Sequence, residues 1–160
     1  KQVKPNKVAN IAKKSTPIKK KKTHRKKKHH HKNVNSVNAT EKEVRLLAKA
    51  VHSEARGESF KGKVAVAAVI LNRTEAKGFP HTIRGVIFQP RAFTAVSDGQ
   101  FNLKPSKEAY RAAYVALHGS DPTHGAIFYY NPQTATSGWM KEEAQKHKTV
   151  KIGKHVFFKG

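Results

Sequence analysis

The chain carries ten Asp or Glu against thirty-three Lys or Arg, so each carboxylate can be weighed by its neighbours. Glu41, Glu43, Glu75, Glu108, Glu142 and Glu143 lie among charged or polar residues and read as solvated. Asp121 precedes Pro122 and reads as a turn former. Three remain: Glu54, Glu58 and Asp98. Glu54 follows Val51 by three residues and Leu47 by seven, so on a helix it shares their apolar face. It also falls in the last turn, at the negative end of the helix dipole. Burial and the dipole both disfavour the ionised form and raise the pKa, which suits a general acid working near neutral pH. The competing role is an edge carboxylate paired with Arg56, Arg73 or Lys63. Glu58, just after Gly57, is either a second carboxylate near Glu54 or a first-turn anion of the next helix. Asp98-Gly99 is either a tight turn or a substrate contact.

Other chemistries find less support. With no cysteine there is no thiolate nucleophile, disulfide framework or Cys-based metal site. His52, His81, His118, His124, His147 and His155 show no HExxH-like spacing, and His29–His31 read as part of a polar tail. No Gly-x-Ser-x-Gly elbow or phosphate loop occurs. No metal or other cofactor is expected. Aromatic and amide side chains gather late in the chain, in Phe128-Tyr129-Tyr130-Asn131-Pro132-Gln133 and Trp139, and Gln89 and Phe93 stand near Asp98. Such faces suit the apolar faces and N-acetyl groups of sugars. Phe128 and one Tyr can equally be core residues of a strand, whereas Trp139 in its polar stretch reads as an exposed binder.

These residues must be positioned by a mixed, mostly helical frame. Thr40-Glu41-Lys42-Glu43 forms a capping box. The helix after it carries Val44, Leu47, Ala48, Val51 and Ala55 and stops near Gly57. A second helix over 59–72 is apolar nearly all round and belongs mid-core, a buried strand being the rival for its VAVAAVIL segment. A short helix packs Ile83, Val86 and Ile87. Residues 89–105 read as a long loop, a common place for function. Ser106 caps a helix bearing Tyr110, Ala113, Tyr114 and Leu117. Ala126–Tyr130 reads as a strand and Val150–Phe158 as a hairpin turning near Gly153-Lys154.

Composition sets the limits. Residues 1–39 hold fourteen Lys or Arg, four His and no acid, so this segment supplies +14 of the net +23. Its apolar residues are isolated, and disorder is expected. Residues 40–160 are one domain's length. No apolar run approaches membrane-spanning length and no signal-peptide h-region is seen. The chain opens on Lys, which is compatible with a removed secretion leader. A basic protein seeks polyanions, and nucleic acid, anionic membrane and the bacterial wall all qualify.

The string Ala50-Val51-His52-Ser53-Glu54-Ala55-Arg56-Gly57-Glu58, followed by Gly62-x-Val64-Ala65-Val66-Ala67-Ala68-Val69-Ile70-Leu71-Asn72-Arg73, resembles the signature of the spore-cortex-lytic cell-wall hydrolases, the SleB/CwlJ family. Phe79-Pro80, Ile83-x-x-Val86-Ile87, Gln89-Pro90-x-x-Phe93, Val96-x-Asp98-Gly99 and Tyr129-Tyr130-Asn131-Pro132 continue it in order. The resemblance covers nearly all of 40–160 and none of 1–39. It implies an α+β, mostly helical, lysozyme-like domain with a small antiparallel β-sheet, akin to lytic transglycosylases. It makes Glu54 the catalytic acid. The implied reaction cuts peptidoglycan between N-acetylmuramic acid and N-acetylglucosamine through the substrate's own 6-hydroxyl. Glu58, Gln89, Phe93, Asp98, Tyr129, Tyr130, Asn131 and Trp139 are the expected substrate contacts. Hydrolysis by water stays open if Glu58 or Asp98 positions it, as does a non-catalytic wall- or polyanion-binding protein. The expected setting is a secreted monomer at the wall or spore. Its basic tail would rest on anionic wall polymer, and no specific nucleic acid is expected as partner.

Overall fold

The computed structural model describes residues 38–160. The expectation of disorder for 1–39 therefore falls outside the described residues, apart from its last two positions. Helix α1 spans Glu41–Glu54 and opens as the sequence predicts. The Thr40 hydroxyl accepts from the Glu43 N–H, and the Glu43 carboxylate accepts from the Thr40 N–H. Ala55 closes it and Gly57, at φ 81°, turns the chain. Ser59 then caps α2, Phe60–Glu75, through the Gly62 N–H. The VAVAAVIL segment is thus helix, and every residue from Val64 to Leu71 is buried. A helix apolar on all sides must be surrounded. Here α1, α3 (Ile83–Ile87) and α5 (Lys107–Leu117) do this.

Two expectations in this frame need correction. The stretch 89–105 is not a plain loop: it holds α4, Thr94–Asp98, and a 3-10 turn, Gln100–Asn102. Phe93, Ala95 and Phe101 are buried and pin these turns to the core, while Gly99 takes φ 82° between them. The other concerns α5, which packs not through Tyr114, half exposed, but through Ala109, Ala112, Ala113, Ala116 and Leu117. Small side chains let its backbone approach α1 and α2 closely, leaving no room for a phenol.

Strand β1 (Phe128–Tyr130), helix α6 (Gly138–Gln145) and strands β2 (Thr149–Ile152) and β3 (His155–Phe158) complete the fold. The sheet is antiparallel in the order β1-β3-β2, with Tyr129 opposite Phe157 and Phe157 opposite Val150. The strand expected from Ala126 begins two residues later. The carbonyls of Ala126 and Ile127 are taken by Asn72 Nδ2 and Arg73 Nε of α2, at 2.9 and 2.8 Å. Helix α6 was missed because it buries only Ala144 and has no side-chain cap, so it leaves no periodic signal. Phe157 faces the helical core, while Phe158 on the other face meets Phe128 and His147. Among the described residues no helix is long and apolar enough to cross a membrane.

Candidate active site

Four segments converge on Glu54. It is the last residue of α1, half-buried, and the Tyr129 hydroxyl on β1 donates to its Oε2 at 3.3 Å. A backbone hydrogen bond from Ala95, early in α4, reaches it as well. Arg73, in the last turn of α2, supplies positive charge nearby without forming an ion pair. Burial is the largest influence and lifts the Glu54 pKa above the ordinary carboxylate range, with the charge of Asp98 adding to it. The Ala95 and Tyr129 hydrogen bonds and Arg73 pull the other way without reversing the direction.

The ion-pair partners considered for Glu54 are engaged elsewhere. Lys63 pairs with Glu108 at 3.0 Å, and Arg56 lies 3.4 Å from His52 Nε2. Arg73 is almost fully buried, donates to the Ile127 carbonyl, and stands over the rings of Phe79, Phe93 and Phe128 at 5.2, 5.6 and 5.9 Å. Burial lowers its pKa, and Tyr129 and Glu54 oppose this. Tyr129 is pushed well above the usual phenol range by burial and by the Glu54 charge, so it stays a neutral donor.

The remaining sequence candidates fall into three places. Gln89 and Phe93 line a groove of about 440 Å³ together with Phe88, Arg91, Thr94 and Val96, on the stretch that delivers Ala95 to Glu54. Asp98 is exposed at the end of α4, where its Oδ1 accepts from the Gln100 N–H at 3.0 Å. Beyond β1, Asn131 spends its Oδ1 on the Gln133 N–H, and its carbonyl accepts from Thr134 and Ala135, fixing a turn. Tyr130 sets its ring edge to face against Phe158 at 6.3 Å. Trp139 is 54% exposed and rests its edge on Phe128 at 5.7 Å.

Glu58 lies elsewhere. It is not in the first turn of α2, as one expectation had it, but one residue before the Ser59 cap. Its side chain is 9% exposed and faces His155 and Gly153. Sequence reasoning weighed His155 only as a metal ligand, did not see the Ala95 N–H, and saw Arg73 only as an ion-pair partner. Nothing in spacing marks a histidine in a hairpin or a backbone donor. The one signal for Arg73 was a lone cation ending an otherwise apolar helix.

A model of the cell wall hydrolase family matches residues 57–158, well over half of the chain. The chain belongs to the cell wall hydrolase family. The match begins at Gly57, three residues after Glu54. The chain is 52% identical over 120 residues to a spore cortex-lytic enzyme of Bacillus cereus, covering 75% of this chain and 45% of that protein. It is 35% identical over 104 residues to the cell wall hydrolase CwlJ of Bacillus subtilis, covering 61% of this chain and 72% of CwlJ. The chain thus spans less than half the length of the spore cortex-lytic enzyme it matches. Two solved structures share its fold. One is the catalytic domain of the Bacillus cereus SleB protein, at TM-score 0.69 and 50% identity, covering 78% of this chain and 96% of that one. The other is the catalytic domain of the germination-specific lytic transglycosylase SleB of Bacillus anthracis, at 0.70 and 49%, covering 76% and 98%. The α+β, mostly helical architecture with a small antiparallel sheet is therefore the one the resemblance implied.

Proposed function

We propose that this domain cleaves the glycan strands of peptidoglycan as a lytic transglycosylase, with Glu54 as its single acid and base. The observation that carries this reading is a half-buried carboxylate of raised pKa, without an ion-pair partner among the described residues, held by the Tyr129 hydroxyl and the Ala95 backbone. The relatives named for cortex lysis and for lytic transglycosylation support the substrate and reaction class. Protonated Glu54 gives its proton to the glycosidic oxygen between N-acetylmuramic acid and N-acetylglucosamine, and the C1–O bond breaks. The carboxylate left behind faces the positive charge developing at C1. It then takes the proton of the muramic 6-hydroxyl as that oxygen bonds to C1, leaving a 1,6-anhydro end and a regenerated acid. One carboxylate suffices for this sequence, whereas a two-carboxylate glycosidase needs a partner across the ring.

Gln89 in the groove, with Tyr130 at the end of β1 and Asn131 and Trp139 beyond it, are the surfaces we assign to sugar contact. Tyr129 acts on Glu54 through its hydroxyl. Asp98 favours a second reading, because its charge is felt at Glu54 and its side chain is exposed. Activating a water there would give hydrolysis instead. We further assign residues 40–160 to the catalytic domain and the basic residues 1–39 to anionic wall polymer, consistent with action at the wall or spore outside the cell.

Mass spectrometry of peptidoglycan digested by the full chain tests the reading. Anhydro-muropeptides from the wild type, and none from a folded Glu54→Gln, are the expected result. Reducing-end products would transfer the role of nucleophile to a water at Asp98. No release from cortex or vegetative peptidoglycan would overturn the enzymatic reading in favour of a wall-binding module.

A further inference from the structure

Behind Tyr129 lies a second ionisable pair that the proposed reaction leaves unused. Glu58 and His155 are nearly enclosed, at 9% and 13% side-chain exposure, with His155 Nδ1 3.7 Å from Glu58 Oε1. Two glycines make room for this carboxylate. A Cβ on Gly153, at the hairpin turn, would collide with Glu58 Oε2, and one on Gly62 would lie 3.1 Å from the Glu58 Cβ. His155 Nδ1 is buried and has no hydrogen-bond partner among the described residues. The imidazole stands edge to face with Tyr129, centroids 5.0 Å apart at 72°, and near Phe157 at 6.1 Å. Tyr129 thus packs against both the His155 and Phe157 rings while its hydroxyl reaches Glu54.

A ring needed only for packing would be served by Phe, without the cost of an unpartnered buried nitrogen. We infer that His155, oriented by Glu58, is a positioning residue that fixes the Tyr129 ring so that its hydroxyl meets the Glu54 carboxylate. This inference rests on the reading of Glu54 as the acid. The charged and titratable groups facing His155 are Glu58, from the α1–α2 connection, Lys154, its neighbour in the hairpin, and Tyr129 on β1. Burial, helped by Lys154, lowers its pKa against the pull of Glu58, so the ring is neutral at neutral pH. A neutral ring bearing its hydrogen on Nδ1 points it toward Glu58 Oε1, 3.7 Å away, and this attraction, short of a hydrogen bond, orients the ring plane that Tyr129 packs on.

The test is the carbon-13 NMR titration of the Glu54 carboxyl in full-length protein labelled at glutamate, assigned by the signal missing from Glu54→Gln. Because the Tyr129 hydroxyl favours the ionised form, losing it moves the Glu54 midpoint upward. His155→Phe keeps a ring but removes Nδ1. It should raise the midpoint by about half to one pH unit, with the alkaline limb of the pH–activity profile following. His155→Asn, which offers an amide N–H but no ring for Tyr129 to pack on, should show the same rise. Tyr129→Phe should show the same rise, and adding His155→Phe to it should move the midpoint no further. A folded His155→Phe with an unmoved midpoint, or shifts that add in the double variant, would overturn the inference. Should His155→Phe not fold, Glu58→Met, of similar length and without an oxygen acceptor, decides by the same midpoint. Shifted midpoints in a protein that releases no glycan product would leave the positioning intact and remove the proposed reaction instead.

Discussion

Replacing Glu54 by Gln separates function from stability in one variant. Glu54 is half-buried, and desolvation is the leading cause of its raised pKa. Gln keeps the shape and one oxygen acceptor for Tyr129 while removing both proton and charge. Loss of general acid–base catalysis should lower the rate of glycan release by about 10²- to 10⁴-fold. Stability should move the other way. A carboxyl whose folded pKa exceeds its unfolded value of about 4.3 binds its proton more tightly when folded. Its contribution is therefore present below the unfolded pKa and is lost as pH rises through the folded pKa. Each unit of difference is worth about 1.4 kcal/mol, or roughly 3–6 °C in melting temperature for a domain of this size. The variant should thus match the wild type near pH 4 and exceed it at pH 7, with the gap opening across the Glu54 titration. Arg73 limits the gain, because it loses a nearby counter-charge but keeps its Ile127 bond and three aromatic rings. Melting curves from pH 4 to 8, run beside the digestion assay, measure both effects. A gap that does not change with pH, a variant less stable than wild type at pH 7, or undiminished product release would refute the reasoning.

Three other outcomes can be stated. Asp121 accepts from the Thr123 N–H and hydroxyl, Asn72 and Gly125, so Asp121→Ala should cost about 2–4 kcal/mol in urea unfolding at pH 7. Burial raises its pKa, and these bonds together outweigh that and hold it below the ordinary value. The advantage of the wild type should therefore be full above pH of about 4 and shrink as acid protonates the folded carboxyl. Arg73→Met should cost about 2–4 kcal/mol by the same measurement, because it removes the donor to Ile127 and the charge among three rings. Trp139 is the sole tryptophan and is exposed. Trp139→Ala should change stability by less than about 1 kcal/mol yet weaken glycan binding, and wild-type fluorescence should shift when soluble glycan fragments are added. An unchanged spectrum at saturating fragment would remove Trp139 from the sugar-contact surface.

What the sequence determined by itself was local. The Thr40 capping box, the Ser59 and Ser106 caps and the hairpin turn at Gly153 each depend on residues three or four apart, so they are readable without the fold. Glu54 was legible for the same reason, since its helical face and its place in the last turn follow from spacing alone. Tertiary structure decided what joined distant segments. The Tyr129 hydroxyl and the Ala95 N–H reach Glu54 from residues 75 and 41 positions away, and no periodicity encodes that meeting. Asn72 and Arg73 claim the carbonyls of Ala126 and Ile127, just before β1, across more than fifty residues. Glu58 could have faced Glu54 or opened α2. It instead turns to His155 because Gly153 and Gly62 leave the space it fills. Helix α6 buries one alanine and has no side-chain cap, so neither a face nor a cap marks it in the sequence. Local hydrogen bonds and side-chain spacing are written into neighbouring residues, whereas desolvation and long-range donors exist only once the chain has closed on itself.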